Sequence, residues 1–333
     1  MDPFEAVDIG ATGKSFFRLG LGTAPLGGFQ HPVDDREAEN VVEAAYARGI
    51  RFFDTAAYYG HGKAEKIVGK VLGRVDRDSY VLASKVGYLL RRGAAPHAMA
   101  PLGAKSEYEK LFPIYDFSRE GVRRSCEESL ARLGLDRIDI LHIHDPEEFL
   151  DQAIHEAFEE LAVMRSEGLI SAISAGSNSA EALNTLVRAC SFDCILLANE
   201  YTLLNQGALD ELLPYCLEKN VTVIAGAVFQ GGILANPSTG FSYSAYPQPE
   251  SALAKARELD HICSAYGVSL GTAAIQFPLG HPAVKSVIVG ARSVAELDQD
   301  IEMFRADIPS GLWDDVKAAG LLAKDVPTPA GKQ

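Results

Sequence analysis

The chain alternates between short apolar runs and longer amphipathic segments along most of its length. The apolar runs have the length of buried strands, whereas the amphipathic segments repeat their apolar residues at helical spacing. Gly49, Gly134 and Gly168 follow three of these segments, as is typical of helix C-termini. The predicted strands are residues 17–22, 50–54, 80–85, 138–144, 169–175, 193–198, 221–225 and 284–289, and the predicted helices are residues 35–48, 118–133, 151–167, 180–189 and 210–219.

Eight strands alternating with helices predict an α/β fold, in particular a (β/α)8 TIM barrel. Strand–helix–strand units have parallel strands and right-handed connections, and eight of them can close on themselves. An open, doubly wound sheet is the alternative. Because the alternation runs through the chain, we expect residues 1–333 to form a single domain.

Three segments fall outside this repeat. Residues 7–16 contain the turn-forming Gly10, which predicts an N-terminal β-hairpin that closes the bottom of the barrel. Residues 87–115 follow Lys85 directly, and residues 235–249 follow the seventh strand. Both read as long, irregular loops on the catalytic face, where such loops commonly contact substrate.

The charge of the chain narrows the range of partners. The net charge is -14 and no basic run is present. Recognition of phosphate backbones rests on clustered Lys and Arg, so we expect neither nucleic acid nor an anionic membrane as partner. The sequence has neither the pattern of a signal peptide nor an apolar run long enough to cross a bilayer. It therefore predicts a cytoplasmic protein with small-molecule ligands, and it leaves the oligomeric state open.

Cysteine and histidine positions argue against a metal site. The five cysteines form an odd set without metal-ligand spacing, and we expect buried, reduced thiols rather than a redox pair of Cys190 and Cys194. His142 and His144 lie two apart on one strand and so face the same side. No third ligand is evident, which favours no metal. His144 lies nearer the strand end, where it can bind a substrate oxygen, and His142 is expected to be a core residue one layer deeper.

Candidate catalytic groups lie where predicted strands end. Asp54, Lys85 and His144 close the second, third and fourth strands, and the strand ends of a parallel barrel open onto one face. A lysine pointing into that face needs a carboxylate to offset its desolvation, and Asp54 is the natural partner. The ammonium is then expected to lower the pKa of a nearby phenol, either Tyr58 or Tyr59.

A phosphate site is predicted near the carboxyl end of the chain. The strand ending at Val289 passes through Gly290 into a helix that begins near Val294, next to Arg292 and Ser293. Backbone amides at a helix N-terminus bind anions, and TIM barrels commonly hold phosphate after strands seven and eight. No Gly-x-Gly-x-x-Gly fingerprint of the Rossmann type follows an early strand.

These motifs together resemble the aldo-keto reductase family over residues 7–320. The resemblance implies a nicotinamide dinucleotide as cofactor, Tyr59 as general acid and base, Lys85 as the group that tunes it, Asp54 as the partner of Lys85, and His144 as the group that orients the carbonyl. The motifs are Gly20-Leu21-Gly22-Thr23, Asp54-Thr55-Ala56 with Tyr59-Gly60, Ser84-Lys85, His144-x-Pro146 and Gly290-x-Arg292.

The same resemblance implies an extended cofactor across the top of the barrel. Its carboxamide would be bound by a pair that maps either to Gly176-Ser177 or to Ser177-Asn178. The expected cofactor-binding residues are Gly22, Thr23, Asp54, Ser177, Asn178, Phe229, Gln230, Gly231, Gly232, Gly290, Arg292, Glu296 and Asp300.

Several positions depart from the broader family pattern. Asp145 stands where many members carry Trp after the histidine, and Ala24 stands where another aromatic residue is common, so the mouth is expected to be polar. Gly226 appears at the place of the aromatic residue that stacks on nicotinamide. Phe229 or Tyr201 is expected to substitute for it.

Charges in the last strand–helix unit bear on cofactor choice. A carboxylate accepts a hydrogen bond from the 2'-hydroxyl of NAD but repels the 2'-phosphate of NADP. Glu296 and Asp300 lie in the helix after Arg292, so we expect NAD to be preferred. Arg292 acts in the opposite direction, and NADP remains possible.

Local motifs resemble an aldose 1-dehydrogenase subgroup, which includes D-threo-aldose, L-fucose and L-galactose dehydrogenases, with pyridoxal 4-dehydrogenase a close relation. The leading hypothesis is oxidation of an aldose at its anomeric hydroxyl to a lactone. Oxidation of pyridoxal to its lactone is the second hypothesis, which the absence of Trp from the mouth disfavours. A general NADP-dependent aldehyde or ketone reductase and a nicotinamide-binding regulatory subunit are further alternatives.

Overall fold

A closed barrel of eight parallel strands forms the centre of the molecule in a computed structural model that describes residues 1–28, 31–93, 111–237 and 249–330. The strands are β1 (Ala6–Asp8), β2 (Ser15–Phe17), β3 (Leu19–Gly22), β4 (Phe52–Asp54), β5 (Val81–Val86), β6 (Tyr88–Arg92), β7 (Leu111–Tyr115), β8 (Ile140–His144), β9 (Ala172–Ser177), β10 (Cys194–Ala198), β11 (Thr222–Gly226) and β12 (Val284–Val289). Around the barrel the order is β3, β4, β5, β8, β9, β10, β11 and β12, and β12 pairs with β3 to close it.

Helices follow the barrel strands and cover the outside. They are α1 (Asp35–Ala47), α2 (Lys63–Leu72), α3 (Arg119–Leu133), α4 (Leu150–Gln152), α5 (Phe158–Ser166), α6 (Ala180–Ala189), α7 (Leu212–Glu218), α8 (Glu250–Ala265), α9 (Leu270–Gln276), α10 (Val294–Arg305) and α11 (Ser310–Ala318). A π-helical turn, Ala153–Ala157, joins α4 to α5. The predicted TIM barrel is therefore confirmed, and each predicted strand overlaps one barrel strand.

The N-terminal hairpin closes one end of the barrel, as predicted. Strands β1 and β2 pair antiparallel, and Phe17, which the sequence assigned to the first barrel strand, belongs to the hairpin instead. Phe16 stacks on Phe52 with ring centroids 4.9 Å apart. With Ile9, it packs on inward-facing residues of the barrel strands, among them Ala83 and Ile140. The hairpin thus buries apolar residues that would otherwise line an open end.

The segment after Lys85 contains regular structure that the sequence did not predict. Strands β6 and β7 form an antiparallel ribbon, with Tyr88 opposite Tyr115. The residues between these strands, 94–110, lie outside the described residues, and so do residues 238–248 of the second predicted loop. The ribbon adjoins the end of β5, and so it brings two tyrosines to the catalytic face.

Alternation along each strand decides which side chains enter the barrel. On β8, Ile140 packs in the interior cluster, whereas Leu141 and Ile143 pack outward against the helices. His142 and His144 therefore share the interior side with Ile140. On β5, Ser84 faces outward and donates to buried Glu65 of α2 at 2.8 Å, which leaves Lys85 facing inward.

Two further expectations concern the cysteines and the membrane. All five cysteines are free thiols, of which four are buried and Cys190 is half-buried. Within the described ranges, no single helix is long and apolar enough to cross a membrane; one bent pair, Glu250–Ala265 with Leu270–Gly280, meets the length and composition test when its two parts are combined.

Candidate active site

A buried ion pair lies at the centre of the site. Strands β4 and β5 are neighbours in parallel register, with Asp54 opposite Ala83, so Lys85 reaches across one strand to the carboxylate. Lys85 Nζ lies 2.5 Å from Asp54 Oδ1 and 3.0 Å from the carbonyl oxygen of Thr55. The two side chains are only 2% and 1% exposed. Direct contact compensates for the loss of hydration that burial imposes on each charge.

Both members of the pair are charged. Burial by itself would raise the pKa of Asp54, but the charges and hydrogen bonds of Lys85 and His142 outweigh it and lower that pKa. Burial by itself would lower the pKa of Lys85, but Asp54 and Tyr59 outweigh it and raise that pKa. The site therefore holds a permanent ammonium group.

Tyr59 is the phenol beside this ammonium. Lys85 Nζ lies 4.9 Å from the centroid of the Tyr59 ring, close enough for its positive charge to act on the phenol. Tyr58 instead packs against Tyr88, with ring centroids 5.4 Å apart, and against His61. The geometry thus separates the two tyrosines that residue type alone left equivalent. It places Tyr59 beside Asp54 and Lys85, and we call these three residues and His144 the tetrad.

The expectation that Lys85 lowers the pKa of Tyr59 below its ordinary value is wrong for this structure. Burial raises the pKa of Tyr59 to about 12, and the positive charge of Lys85 offsets only part of that rise. Asp54 and Asp145 add negative charge nearby and act in the same direction as burial. Tyr59 is therefore a protonated phenol at neutral pH, suited to donate a proton or to share one with a substrate oxygen.

His144 completes the tetrad from β8. Its ring stands edge-on to Tyr59, with centroids 6.0 Å apart and an interplanar angle of 89°. Burial, followed by the charge of Lys85, lowers the pKa of His144 well below its ordinary value. A neutral imidazole beside a phenol can orient a carbonyl or hydroxyl oxygen without taking a proton from it.

His142 is buried below His144, as predicted, but it also belongs to the site. Its Nε2 lies 3.2 Å from Asp54 Oδ2. The sequence treated it as a core residue, and the missed signal is its two-residue spacing from His144, which places both rings in the barrel interior. In the part of the chain that the structure describes, no three His, Cys, Asp or Glu side chains are grouped to hold a metal ion.

Asp145 makes the mouth polar next to His144. It adopts a left-handed backbone conformation, with φ of 44°, and its Oδ2 lies 3.5 Å from His144 Nε2. Burial and the nearby Glu147 raise the pKa of Asp145 to about 7, although its side chain is 30% exposed and accepts a hydrogen bond from Asn178. A non-glycine residue at positive φ is uncommon and marks a constrained position.

An aromatic wall faces this polar side, although the mouth carries no Trp among the described residues. It consists of Tyr58, Tyr88 and Tyr115. Tyr88 lies 5.1 Å from the His144 ring and 4.7 Å from Tyr115, measured between centroids. Tyr88 and Tyr115 also share a hydrogen bond of 3.1 Å. Strands β6 and β7 supply two of these rings, which is why a loop assignment missed them.

The expected cofactor residues of the first loop have structural roles. Thr23 is fully buried, and its backbone N–H and its hydroxyl both donate to the carbonyl oxygen of Asp54, at 2.9 and 3.0 Å. This contact fixes the backbone at the end of β4. Gly22, which is half-buried, ends β3 in register with Asp54. Thr23 therefore holds the backbone that carries Asp54, and contact of Gly22 and Thr23 with a cofactor stays a prediction.

At the end of β9, Ser177 and Asn178 have different environments. The Ser177 hydroxyl donates to Glu147 and accepts from the Ser179 N–H at 2.8 Å. Asn178 is exposed at the mouth, where its Oδ1 accepts from Asn199 Nδ2 at 2.8 Å. Of the two pairs that the sequence left open, Ser177-Asn178 thus presents a side-chain amide at the surface.

The residues after β11 form a tight turn. Gly231 and Gly232 have φ values of 66° and 98°, a conformation that favours glycine. Gln230 accepts a hydrogen bond from Thr202 at 2.8 Å. Phe229 is half-buried against the core. Tyr201 is fully packed between core residues, with its ring 5.2 Å from Phe277, and so it is not placed to stack on a ligand.

The predicted phosphate region lies between β12 and α10. A Cβ at Gly290 would come within 2.6 Å of Pro25, so packing between two loops already requires glycine there. Glu296 binds Arg292 twice, since it accepts from the Arg292 backbone N–H at 2.8 Å and from its guanidinium. Arg292 overcomes the effect of burial and lowers the pKa of Glu296, which is therefore a carboxylate.

Asp300 differs from the expectation. It is 5% exposed, and burial together with the neighbouring Glu296 raises its pKa well above the ordinary value. Because its side chain is buried, Asp300 does not present a carboxylate to a ribose or a phosphate at the surface. Of the two carboxylates, Glu296 would therefore be the one that discriminates between NAD and NADP.

These groups fit a nicotinamide dinucleotide by their chemistry. Asn178 presents an amide, the Gly231–Gly232 turn exposes backbone, and the N-terminus of α10 with Arg292 suits an anionic phosphate. All three lie in loops that follow barrel strands, on the face that carries the tetrad.

Comparison with known proteins defines the class. The model of the aldo/keto reductase family matches residues 18–320. The chain therefore belongs to this family and is a nicotinamide-dependent oxidoreductase.

Individual relatives match over almost the whole chain. A D-threo-aldose 1-dehydrogenase from Pseudomonas sp. is 39% identical, covering 96% of this chain and 97% of its own. A pyridoxal 4-dehydrogenase from Microbacterium luteolum is 34% identical, with 95% and 97% covered. An L-galactose dehydrogenase from Arabidopsis thaliana is 33% identical, with 90% and 88% covered. A solved glycerol dehydrogenase from Gluconobacter oxydans shares the fold with a TM-score of 0.74 at 23% identity, and 98% of each chain is covered.

Proposed function

We propose that this protein oxidises an aldose at its anomeric hydroxyl to the lactone, with NAD as the oxidant. One observation carries the reaction type: the Lys85 ammonium lies over the Tyr59 ring, which stands edge-on to the neutral ring of His144. An oxygen placed between Tyr59 and His144 would contact a proton-transfer group and a neutral hydrogen-bond donor at once.

Each residue of the tetrad has its own role in the proposed oxidation. A bound nicotinamide supplies the hydride acceptor for C1 of the sugar. Tyr59 accepts the proton of the anomeric hydroxyl, so that loss of one hydride and one proton converts C1–OH into the lactone carbonyl. Lys85 stabilises the phenolate that this transfer requires, and Asp54 holds Lys85 in position. His144 orients the reacting oxygen.

Asp145 supports a polyhydroxylated substrate. Its carboxyl lies 3.5 Å from His144, so it is within reach of a hydroxyl on the carbon next to the reacting one. A carboxyl group accepts hydrogen bonds from sugar hydroxyls and offers nothing comparable to an apolar aldehyde. The similarity to a D-threo-aldose 1-dehydrogenase and an L-galactose dehydrogenase agrees with this choice.

The preference for NAD is proposed from the state of Arg292. This guanidinium is paired with Glu296, and a 2'-phosphate would have to displace that carboxylate or tolerate its charge. A ribose 2'-hydroxyl can instead donate to Glu296.

The test is a substrate panel measured through NADH formation. D- and L-aldoses, including L-fucose and L-galactose, are compared with pyridoxal and with simple aliphatic alcohols, each with NAD and NADP. The proposal expects the highest kcat/KM for an aldose with NAD, and lactone as product. Turnover of simple alcohols or carbonyls alone would contradict it.

A pair of variants tests the sugar contact. Asp145→Leu is expected to raise KM for the aldose by about tenfold or more, because a hydrogen-bond acceptor is replaced by an apolar group. Asp145→Asn keeps an acceptor oxygen and serves as the matched control. If both variants retain the wild-type KM, Asp145 does not contact the sugar.

Pyridoxal is a second candidate because of the aromatic wall. Tyr58, Tyr88 and Tyr115 offer rings on which a pyridine ring could stack, and Tyr88 lies nearest to His144. The similarity to a pyridoxal 4-dehydrogenase agrees with it. Tyr88→Leu separates the two candidates, since it should reduce turnover of pyridoxal far more than turnover of an aldose if pyridoxal is the substrate.

A further inference from the structure

His142 lies in the barrel interior directly below the tetrad and is completely buried. Its two ring nitrogens face two different strands. Nε2 lies 3.2 Å from Oδ2 of Asp54 on β4, and Nδ1 lies 2.7 Å from the hydroxyl oxygen of Ser174 on β9. Among the described residues, neither Nε2 nor Oδ2 has a hydrogen-bond partner of good geometry, and the 3.2 Å contact between them is off-line for a hydrogen bond. Each of these two buried polar atoms therefore depends on the other.

The charged and titratable groups around His142 determine where its proton lies. Asp54 and Lys85 face it from β4 and β5, His144 lies above it on β8, and Cys194 on β10 shares the Ser174 hydroxyl. Burial and Lys85 hold the pKa of His142 below its ordinary value, so the ring is neutral and carries one proton.

Only one tautomer of a neutral ring suits these partners. A proton on Nε2 places a positive hydrogen next to the Asp54 carboxylate, whereas a bare Nε2 would place a lone pair against a negative charge at 3.2 Å. With Nε2 protonated, Nδ1 is an acceptor, and the Ser174 hydroxyl is a donor at the right distance. The chain of donors therefore runs from Ser174 through His142 to Asp54.

We propose that His142 is a positioning residue of the active site, which holds the free oxygen of Asp54 while Lys85 holds the other. This inference rests on the proposed roles of Tyr59 and Lys85. With both oxygens in contact with a partner, the charge of the carboxylate is shared between His142 and Lys85. Less of the Lys85 charge is then neutralised by Asp54, and more of it acts on the Tyr59 phenol.

Replacement of His142 should therefore change the pKa of Tyr59, with Asp54 and Lys85 transmitting the effect. In His142→Met the carboxylate loses its second donor, its pull on Lys85 increases, and the phenol becomes harder to deprotonate. We expect kcat for sugar oxidation to fall about tenfold or more, and its rise with pH to move upward by about one unit. The Kd for NAD should be unchanged, since His142 lies below the barrel mouth.

Two variants control this experiment. His142→Gln keeps an N–H donor of similar reach, and it should restore kcat to within about threefold of wild type and return the pH profile. Ile140→Val removes one methylene from the same interior face of β8 and controls for a general disturbance of the core. Ile140→Val should leave the dependence of kcat on pH unchanged. A His142→Met protein with the wild-type profile, or a His142→Gln protein that behaves like His142→Met, would overturn the proposal.

A second measurement does not depend on activity. Nitrogen-15 NMR of histidine-labelled wild-type protein reports the protonation of each ring nitrogen, and the His142 signals are assigned by their loss in His142→Gln. We expect Nε2 to be protonated and Nδ1 to be bare at neutral pH. A proton on Nδ1, or on both nitrogens, would overturn the proposal even if no substrate is found. Failure of every sugar and of pyridoxal as substrates, with the expected NMR signals, would instead count against the proposed function.

Discussion

Lys85 Nζ lies 2.5 Å from Asp54 Oδ1 and 4.9 Å from the centre of the Tyr59 ring, so one ammonium serves a carboxylate and a phenol together. The two contacts have opposite consequences. Asp54 keeps the ammonium charged despite its burial, but it also cancels part of the field that the phenol experiences. The resting pKa of Tyr59 near 12 is the balance of these effects with burial.

Tyr59→Phe should abolish turnover while the Kd for NAD stays close to wild type. The change removes the hydroxyl that accepts the substrate proton, and loss of a general acid or base commonly costs about 10²–10⁴-fold in rate. Steady-state kinetics and fluorescence titration of NAD measure the two effects separately.

Tyr58→Phe is the matched control, because it changes the neighbouring residue by the same single oxygen. Tyr58 packs against Tyr88 and His61, whereas Lys85 lies over the ring of Tyr59. We expect it to retain most of the activity. Loss of turnover in Tyr58→Phe with retention in Tyr59→Phe would reverse the assignment.

Lys85→Met should slow oxidation by orders of magnitude and move its pH dependence upward. Oxidation needs Tyr59 without its proton, and the charge of Lys85 lowers the pKa of Tyr59, so loss of that charge raises the pKa further. In the wild-type protein, oxidation should accelerate as pH rises, because the fraction of Tyr59 without its proton increases. The pKa of Tyr59, about 12, lies above the pH range of an activity assay, so this increase continues across that range. The measurement is kcat against pH.

This variant leaves Asp54 buried without its main partner, which is strongly destabilising. The double variant Asp54→Asn with Lys85→Met removes both charges and serves as the folding control. It should recover thermal stability relative to Lys85→Met without recovering the rate. An active double variant would exclude Lys85 from the mechanism.

The barrel could be predicted from the sequence because its signal is local. A strand buried on both faces is a short apolar run, and all eight such runs became barrel strands. Asp54, Lys85 and His144 were found for the same reason, since a charged or polar residue that ends an apolar strand must have a function or a partner at the barrel mouth.

Other features depend on contacts that no local pattern reveals. The pKa of Tyr59 is set by how deeply its ring is buried, and the sequence indicated only the Lys85 charge. Asp300 lies on a helix that looks amphipathic, but the turn of α10 places it inward. Tyr88 was assigned to a loop because β6 directly follows β5 without a helix between them.

Asp300→Asn should change the pH dependence of stability. The folded pKa of Asp300 is raised well above 3.8, so the unfolded chain loses this proton first as pH increases. The free energy of unfolding of the wild-type protein therefore decreases from about pH 4 upward, until the pH reaches the pKa of Asp300 in the folded protein. We expect the free energy of unfolding of Asp300→Asn, relative to wild type, to increase with pH over this window. Urea unfolding at several pH values measures it.

Any cost of placing an amide at this buried position is independent of pH and adds only a constant offset. The slope therefore reports the titration of Asp300 alone. A difference between the two proteins that stays constant from pH 4 to neutral pH would show that Asp300 is ionised in the folded protein.

The preference for NAD over NADP should depend on the charge of Glu296. Wild type is expected to bind NAD more tightly than NADP, because Arg292 is paired with Glu296 and a 2'-phosphate meets the Glu296 charge. Glu296→Gln should improve NADP binding relative to NAD by about tenfold, equivalent to ~1.4 kcal/mol, as Arg292 becomes available to the phosphate. Glu296→Lys adds a positive charge, and it should reduce the preference for NAD over NADP further or reverse it.

Asp300→Asn is the internal control for this argument. Asp300 lies one turn further along α10, but its side chain is buried, so its replacement should leave the ratio of the two affinities unchanged. Fluorescence titrations of NAD and NADP at one fixed ionic strength decide the matter, because salt screens discrimination by charge. Tighter binding of NADP by the wild-type protein would contradict the assignment of NAD. If Asp300→Asn changes the ratio of the affinities for NAD and NADP as much as Glu296→Gln does, the buried carboxyl, and not Glu296, carries the discriminating charge.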